Sequence, residues 1–99
     1  MARQYEIVFH DNKIIIAVLT SPQIKAARAL LGWSQPSLAK ASGLSLPTIV
    51  RMESQLGPGR SSAANVEAVQ LALETAGVTF LEGTSESGPG VRLKRGLEG

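Results

Sequence analysis

Ser34-Gln35-Pro36-Ser37-Leu38-Ala39-Lys40-Ala41-Ser42-Gly43-Leu44-Ser45-Leu46-Pro47-Thr48-Ile49-Val50-Arg51-Met52-Glu53 reads as two short helices and the turn between them. Ser34 stands before a helix-forming run, where its hydroxyl can accept a bond from an otherwise unpaired N–H of the first turn. Pro36 falls inside that turn, where a missing N–H costs nothing. The helix expected from Gln35 to about Ala41 turns Leu38 and Ala39 inward. Ser42-Gly43-Leu44 is too short for anything but a tight turn, and glycine adopts the left-handed conformation that ends a helix and redirects the chain. Ser45 then caps a second helix, expected to run to about Ser54. Its Ile49 and Met52 are spaced to meet a core, while Leu46, Pro47, Val50 and Arg51 are distributed toward other faces.

Working outward, Thr20 or Ser21 caps an earlier helix with Pro22 at its first position, and Ile24, Ala27 and Leu31 share one face of it up to Gly32. On the other side Leu56-Gly57-Pro58-Gly59 breaks the chain. A longer amphipathic helix starts after Ser61 or Ser62, with Val66, Val69, Leu73 and Ala76 on one stripe, and ends at Gly77. The two ends read differently. Tyr5 to Phe9 and Ile14 to Val18 are β-branched and aromatic-rich segments about the turn composition His10-Asp11-Asn12-Lys13, which predicts a hairpin. Val78 to Glu82 and Val91 to Lys94 alternate apolar and polar residues around a Ser-, Gly- and Pro-rich stretch, which predicts a second. The expected organisation is therefore mainly α: an N-terminal β-hairpin over 1–19, a four-helix domain over 20–77, a C-terminal β-hairpin over 78–95 and a frayed tail over 96–99.

Composition sets bounds on this organisation. A chain of 99 residues with 43% apolar content supports one modest core. Without cysteine, neither a disulfide framework nor a thiolate metal site can hold it together, so packing or self-association must. The longest apolar run, Ile14 to Leu19, is far short of the roughly 20 residues of a membrane span. A cytoplasmic protein with no membrane partner is the expectation. The net charge of +2 says little about partners, but its distribution says more. Between Pro22 and Arg60, five basic residues (Lys25, Arg28, Lys40, Arg51, Arg60) stand against the single carboxylate of Glu53, a local charge of +4.

The stretch from Ser34 to Glu53 resembles the xenobiotic-response-element, or phage-repressor-like Cro/C1-type, helix-turn-helix family. It follows the spacing S-Q-x-x-L-A-x-x-x-G-x-S-x-x-T-I-x-x-x-E, including the turn glycine and the serine that caps the recognition helix. With its flanking helices the resemblance covers about residues 20–80 and includes Ala26 to Gln35, which is similar to short bacterial regulators of this type. It implies a four-helix repressor-like domain that binds double-stranded DNA in transcriptional regulation, with the recognition helix at about 45–54. It also gives Gln35 a contact to the DNA backbone.

Helix starts present unpaired N–H groups to anions, which suits phosphate, and Ser34 and Ser45 either cap alone or also donate to phosphates. Base reading requires side chains on the first turns of the recognition helix. Here Leu46 and Pro47 depart from the polar residues usual in better-known repressors. Neither makes bidentate bonds to a base, although Leu46 can pack on a thymine methyl. Arg51 can present its guanidinium to guanine or lie along a phosphate, and Thr48 and Val50 are weaker candidates. So few polar base readers leave much of the affinity to backbone contacts and DNA shape. Lys25, Lys40, Arg60 and the basic tail of Arg92, Lys94 and Arg95 are solvated charges or additional phosphate contacts.

Arg28 and Glu53 hold positions where related repressors pair an arginine of the first helix with a glutamate ending the recognition helix, which implies a structural ion pair. Trp33 is expected as a core or hinge residue between the first two helices, with aromatic stacking as the alternative. His10 is the only histidine and has no cysteine beside it, so no metal site is expected. No activated nucleophile, phosphate-cradling glycine loop or matched carboxylate pair is visible, so neither an enzyme nor a cofactor is expected.

One recognition helix binds DNA weakly, so a homodimer on two half-sites follows, with the hairpins as candidate interface. The alternative is a protein-interaction or antitoxin-like module that binds another protein through Leu46, Pro47 and the hairpins.

Overall fold

In the computed structural model the described residues are 6–10, 13–17 and 19–97, and side chains are described from Leu19 to Leu97 apart from Arg60. The helical domain comprises α1 (Ser21–Leu31), α2 (Gln35–Ser42), α3 (Leu46–Met52) and α4 (Ala63–Thr75), followed by the strands β3 (Val78–Leu81) and β4 (Gly90–Leu93). Ahead of it, β1 (Glu6–His10) and β2 (Lys13–Ala17) are extended segments registered antiparallel, Glu6 opposite Ala17 and His10 opposite Lys13. Tyr5, Asp11, Asn12 and Val18 of the expected N-terminal hairpin lie outside the described residues, as does the side chain of His10.

Each helix begins where its sequence allows an unpaired N–H to be satisfied. Thr20 caps α1 in a reciprocal arrangement. Its hydroxyl accepts from Gln23 N–H at 3.2 Å, and Gln23 Oε1 accepts from Thr20 N–H at 2.9 Å. Ser34, Ser45 and Ser62 cap α2, α3 and α4 in the same position, each accepting from the N–H three residues on. The choice between Thr20 and Ser21, and that between Ser61 and Ser62, is thereby resolved. Gly32 and Gly43 end α1 and α2 at φ of 69° and 76°, in the left-handed region.

The core gathers one face from every helix. Ile24 and Ala27 of α1, Leu38 and Ala39 of α2, Ile49 and Met52 of α3, and Val69 and Leu73 of α4 are buried together with Leu19 and Val78. Leu31, Trp33 and Val66 pack partly buried against this cluster. Ala76, expected on the α4 stripe, is instead the residue that ends that helix. The recognition helix is shorter than expected at its C-terminal end. It stops at Met52 because Ser54 turns its hydroxyl back onto Arg51 O at 2.6 Å and its N–H onto the same carbonyl at 3.2 Å, closing a tighter turn.

The C-terminal hairpin is antiparallel, Val78 opposite Leu93 and Leu81 opposite Gly90. It packs on α1 and α4, so it completes the domain instead of standing apart. Where the sequence suggests a frayed end from 96, the chain still closes a turn, Leu97 N–H donating to Lys94 O at 3.1 Å. Glu98 and Gly99 lie outside the described residues.

Candidate nucleic-acid interface

The two helices named first in the sequence meet across a turn that leaves little freedom. Gly43 N–H and Leu44 N–H both donate to Ala39 O, at 2.9 and 3.1 Å, which ties off the end of α2 and aims the chain into α3. Ser45 Oγ accepts from Thr48 N–H at 3.3 Å and lies 2.8 Å from Thr48 Oγ1. At the start of α2, Ser34 Oγ accepts from Ser37 N–H at 3.2 Å and lies 3.0 Å from Ser37 Oγ. Both serines are exposed caps.

On α3, helical spacing divides the residues cleanly. Ile49 and Met52 point inward and Glu53 is buried just beyond them. Leu46 and Val50, one turn apart, are 40% and 47% exposed, and Pro47 and Arg51, also one turn apart, are exposed beside them. Thr48 is half-buried at the margin. The outward face of α3 is thus aliphatic with a single guanidinium. Lys25 and Lys40 are exposed on α1 and α2, and Arg92, Lys94 and Arg95 are exposed at the end of the C-terminal hairpin. Arg60's side chain lies outside the described residues.

Behind this face sits the expected ion pair. Arg28 Nε and Nη2 donate to Glu53 Oε2 and Oε1, each at 2.7 Å, in the two-pronged geometry that suits guanidinium and carboxylate. The Glu53 side chain is 2% exposed and that of Arg28 19%. The remaining guanidinium nitrogen, Nη1, donates to Trp33 O at 3.0 Å, so the pair also holds the α1–α2 connection. Hydrogen bonding to Glu53, reinforced by its charge and opposed by burial, raises the Arg28 pKa above the ordinary arginine value.

Two partners of Glu53 are invisible in the sequence. Gln35 Nε2 donates to Glu53 Oε1 at 3.1 Å, and Ser21 Oγ donates to Glu53 O at 2.7 Å. Gln35, expected from the resemblance to reach outward, therefore spends one amide bond on the buried carboxylate. An amide has two N–H donors and an acceptor, so this bond engages only one of them. Gln23 is the second residue that sequence reasoning missed. It is 4% exposed, and beyond its cap Nε2 donates to Gly90 O at 3.1 Å, with Leu81 O at 3.5 Å. The Thr20-Ser21-Pro22-Gln23 pattern carried the capping half of that role; nothing local carried the other.

Residues 24–82 match the family model for the helix-turn-helix. The chain belongs to the helix-turn-helix family, of the Cro/C1 type. The match runs from within α1 to just past β3, so the matched unit includes Arg28, Gln35 and Glu53. It carries the fold of DNA-binding, repressor-like transcriptional regulators. No curated protein and no solved structure matches the chain. Among the described residues no group of three His, Asp or Glu side chains is placed to hold a metal ion, and no helix is long and apolar enough to cross a membrane.

Proposed function

We propose that this protein is a sequence-specific transcriptional regulator of the cytoplasm that sets α3 in the DNA major groove and acts as a dimer on a palindromic operator. The observation that carries it is the outward face of α3. Leu46, Pro47, Val50 and Arg51 are exposed there, while the only carboxylate between Pro22 and Arg60 is sequestered behind the helix by Arg28. An aliphatic face with a positive, uncancelled surround suits a polyanion whose groove offers methyl groups. Ser34, Gln35 and Ser45 are the proposed backbone contacts, and Leu46, Pro47, Thr48 and Arg51 the proposed groove contacts. Dimerisation is assigned to the hairpins, in particular the Ile14-Ile15-Ile16 segment of β2, because a two-stranded sheet leaves both of its edges unpaired.

A second reading draws on the same exposure of Leu46 and Val50: the face binds an apolar surface of another protein, as in an antitoxin. Selection from a randomised DNA pool, with binding followed against salt, separates the two. Enrichment of a palindrome, binding that falls steeply with salt, and collapse on combined Gln35→Ala and Arg51→Ala support the regulator. No enrichment, with the double variant behaving as the parent, favours the protein partner. A monomer by light scattering at micromolar concentration overturns the dimer.

A further inference from the structure

We propose that Leu46, Pro47 and Val50 form a methyl-reading face, selecting operators by the 5-methyl groups that pyrimidines, thymine foremost, present in the major groove. The inference rests on the DNA-binding reading above and names the chemistry of its specificity.

Three observations converge on it. The three side chains occupy adjoining positions on α3, Leu46 and Val50 one turn apart and Val50 between Leu46 and Pro47 around the helix, and all are exposed while their neighbours Ile49 and Met52 are in the core. They have no side-chain donor or acceptor, so the hydrogen-bonding pattern of a base edge is invisible to them. The one major-groove feature that an aliphatic group recognises is the methyl at pyrimidine C5. The charges nearest in sequence favour nucleic acid over an apolar protein as the occupant. Lys40 and Arg51 are exposed and positive, and Glu53 is 3% exposed and neutralised by Arg28. Arg51, one turn after Pro47, supplies the only charged side-chain hydrogen-bond donors of α3, suited to a guanine beside the thymines or to a phosphate.

Val50 thereby gains a role as a specificity residue. A longer polar side chain at Leu46 or Val50 would bring hydrogen bonding to the base edge. The aliphatic ones give discrimination only where a methyl fills the contact, and water is displaced from both surfaces.

The test uses the full chain and the site enriched from the randomised pool. Replacing each thymine of that site by uracil removes the methyl and leaves every hydrogen-bonding group of the base pair in place. The expected result is an affinity loss of about four-fold per contacted methyl, the weight of one buried methyl group. In the Leu46→Ala, Val50→Ala double variant the thymine-to-uracil ratio falls toward one. Both side chains are exposed, so circular dichroism should report an intact fold. Leu56→Ala, which trims a still more exposed leucine beyond α3, should leave the ratio unchanged.

A 5-methylcytosine·guanine pair that binds more tightly than cytosine·guanine at a contacted position shows that the methyl is read on either pyrimidine. Tight binding of thymine alone confines the source to thymine. Equal affinity for thymine and uracil sites, or a ratio that survives the double variant, overturns the methyl face while leaving the DNA reading in place. If no sequence is enriched, the DNA reading fails and the methyl face with it.

Discussion

Gln35, the first residue of α2, is hydrogen-bonded through Nε2 to Oε1 of Glu53, the residue that closes α3, at 3.1 Å. The start of one helix and the end of the other are thereby held by one carboxylate, which Arg28 fixes in turn. Gln35 is neutral, so its removal should weaken DNA binding without releasing a counterion fewer. Gln35→Ala is expected to lower affinity about five-fold, the weight of one ordinary hydrogen bond, equally across sequences and with an unchanged salt slope. If Glu53 acts on DNA through Gln35, Glu53→Gln has little further effect once Gln35 is alanine. Fluorescence anisotropy over a salt series, on all three variants at a temperature where each is folded, measures this.

Arg28→Ala should be among the most destabilising substitutions, because it strands the Glu53 carboxylate in the core with the amide of Gln35 as its side-chain partner. Breaking a buried pair from one side costs about 3 kcal/mol, or on the order of 15 °C in Tm for a domain of this size. Removing both charges at once, as Arg28→Met with Glu53→Leu, should cost clearly less than the two single changes added together. Urea denaturation of the four proteins gives the coupling directly. Because the Arg28 pKa is raised, its charge and its share of the stability are present at all pH values below the ordinary arginine range, so no loss from this side is expected across neutral pH.

Gln23 joins two duties that substitution can separate. Gln23→Ala leaves the bond from the backbone N–H of residue 23 to the Thr20 hydroxyl but removes the reciprocal half of the cap and the bond to the hairpin, and a cost of about 2 kcal/mol is expected from the Thr20 N–H and the Gly90 carbonyl left without a partner. Gln23→Glu keeps an oxygen for Thr20 N–H but turns a second one toward Gly90 O and Leu81 O. It should therefore be no better than alanine. Amide exchange should show the loosening in β3 and β4, with α2 and α3 protected as before. Equal loosening of all elements would mean that the hairpin is not held by this side chain.

Gly77 joins α4 to β3 at φ of 115°, a conformation that other residues rarely adopt, and a Cβ there would press on the side chain of Leu97. Gly77→Ala should cost roughly 2 kcal/mol. Gly43→Ala, in the turn before α3, meets open space and should cost about 1 kcal/mol from its left-handed backbone alone. Adding Leu97→Ala to the Gly77 variant should relieve the contact and leave the backbone strain, a partial rescue visible in thermal melts.

What the sequence determined by itself is local. The serines before α2 and α3, the glycine between them and the spacing of Leu38, Ile49 and Met52 specify two capped helices and a tight turn, because capping, left-handed φ and helical periodicity act within a few residues. The apolar outer face of α3 was legible for the same reason, since burying Ile49 and Met52 leaves Leu46, Pro47 and Val50 on other sides of a rigid cylinder. The pairing of Arg28 with Glu53 came from resemblance, as spacing alone does not bring residues 25 apart together. Only the tertiary structure decided that Gln35 and Ser21 converge on Glu53, and that Gln23 reaches across to Gly90. Those bonds join residues 18 to 67 apart in the chain, and they exist because burial of the core brings polar groups to places where water is excluded and each must find a protein partner.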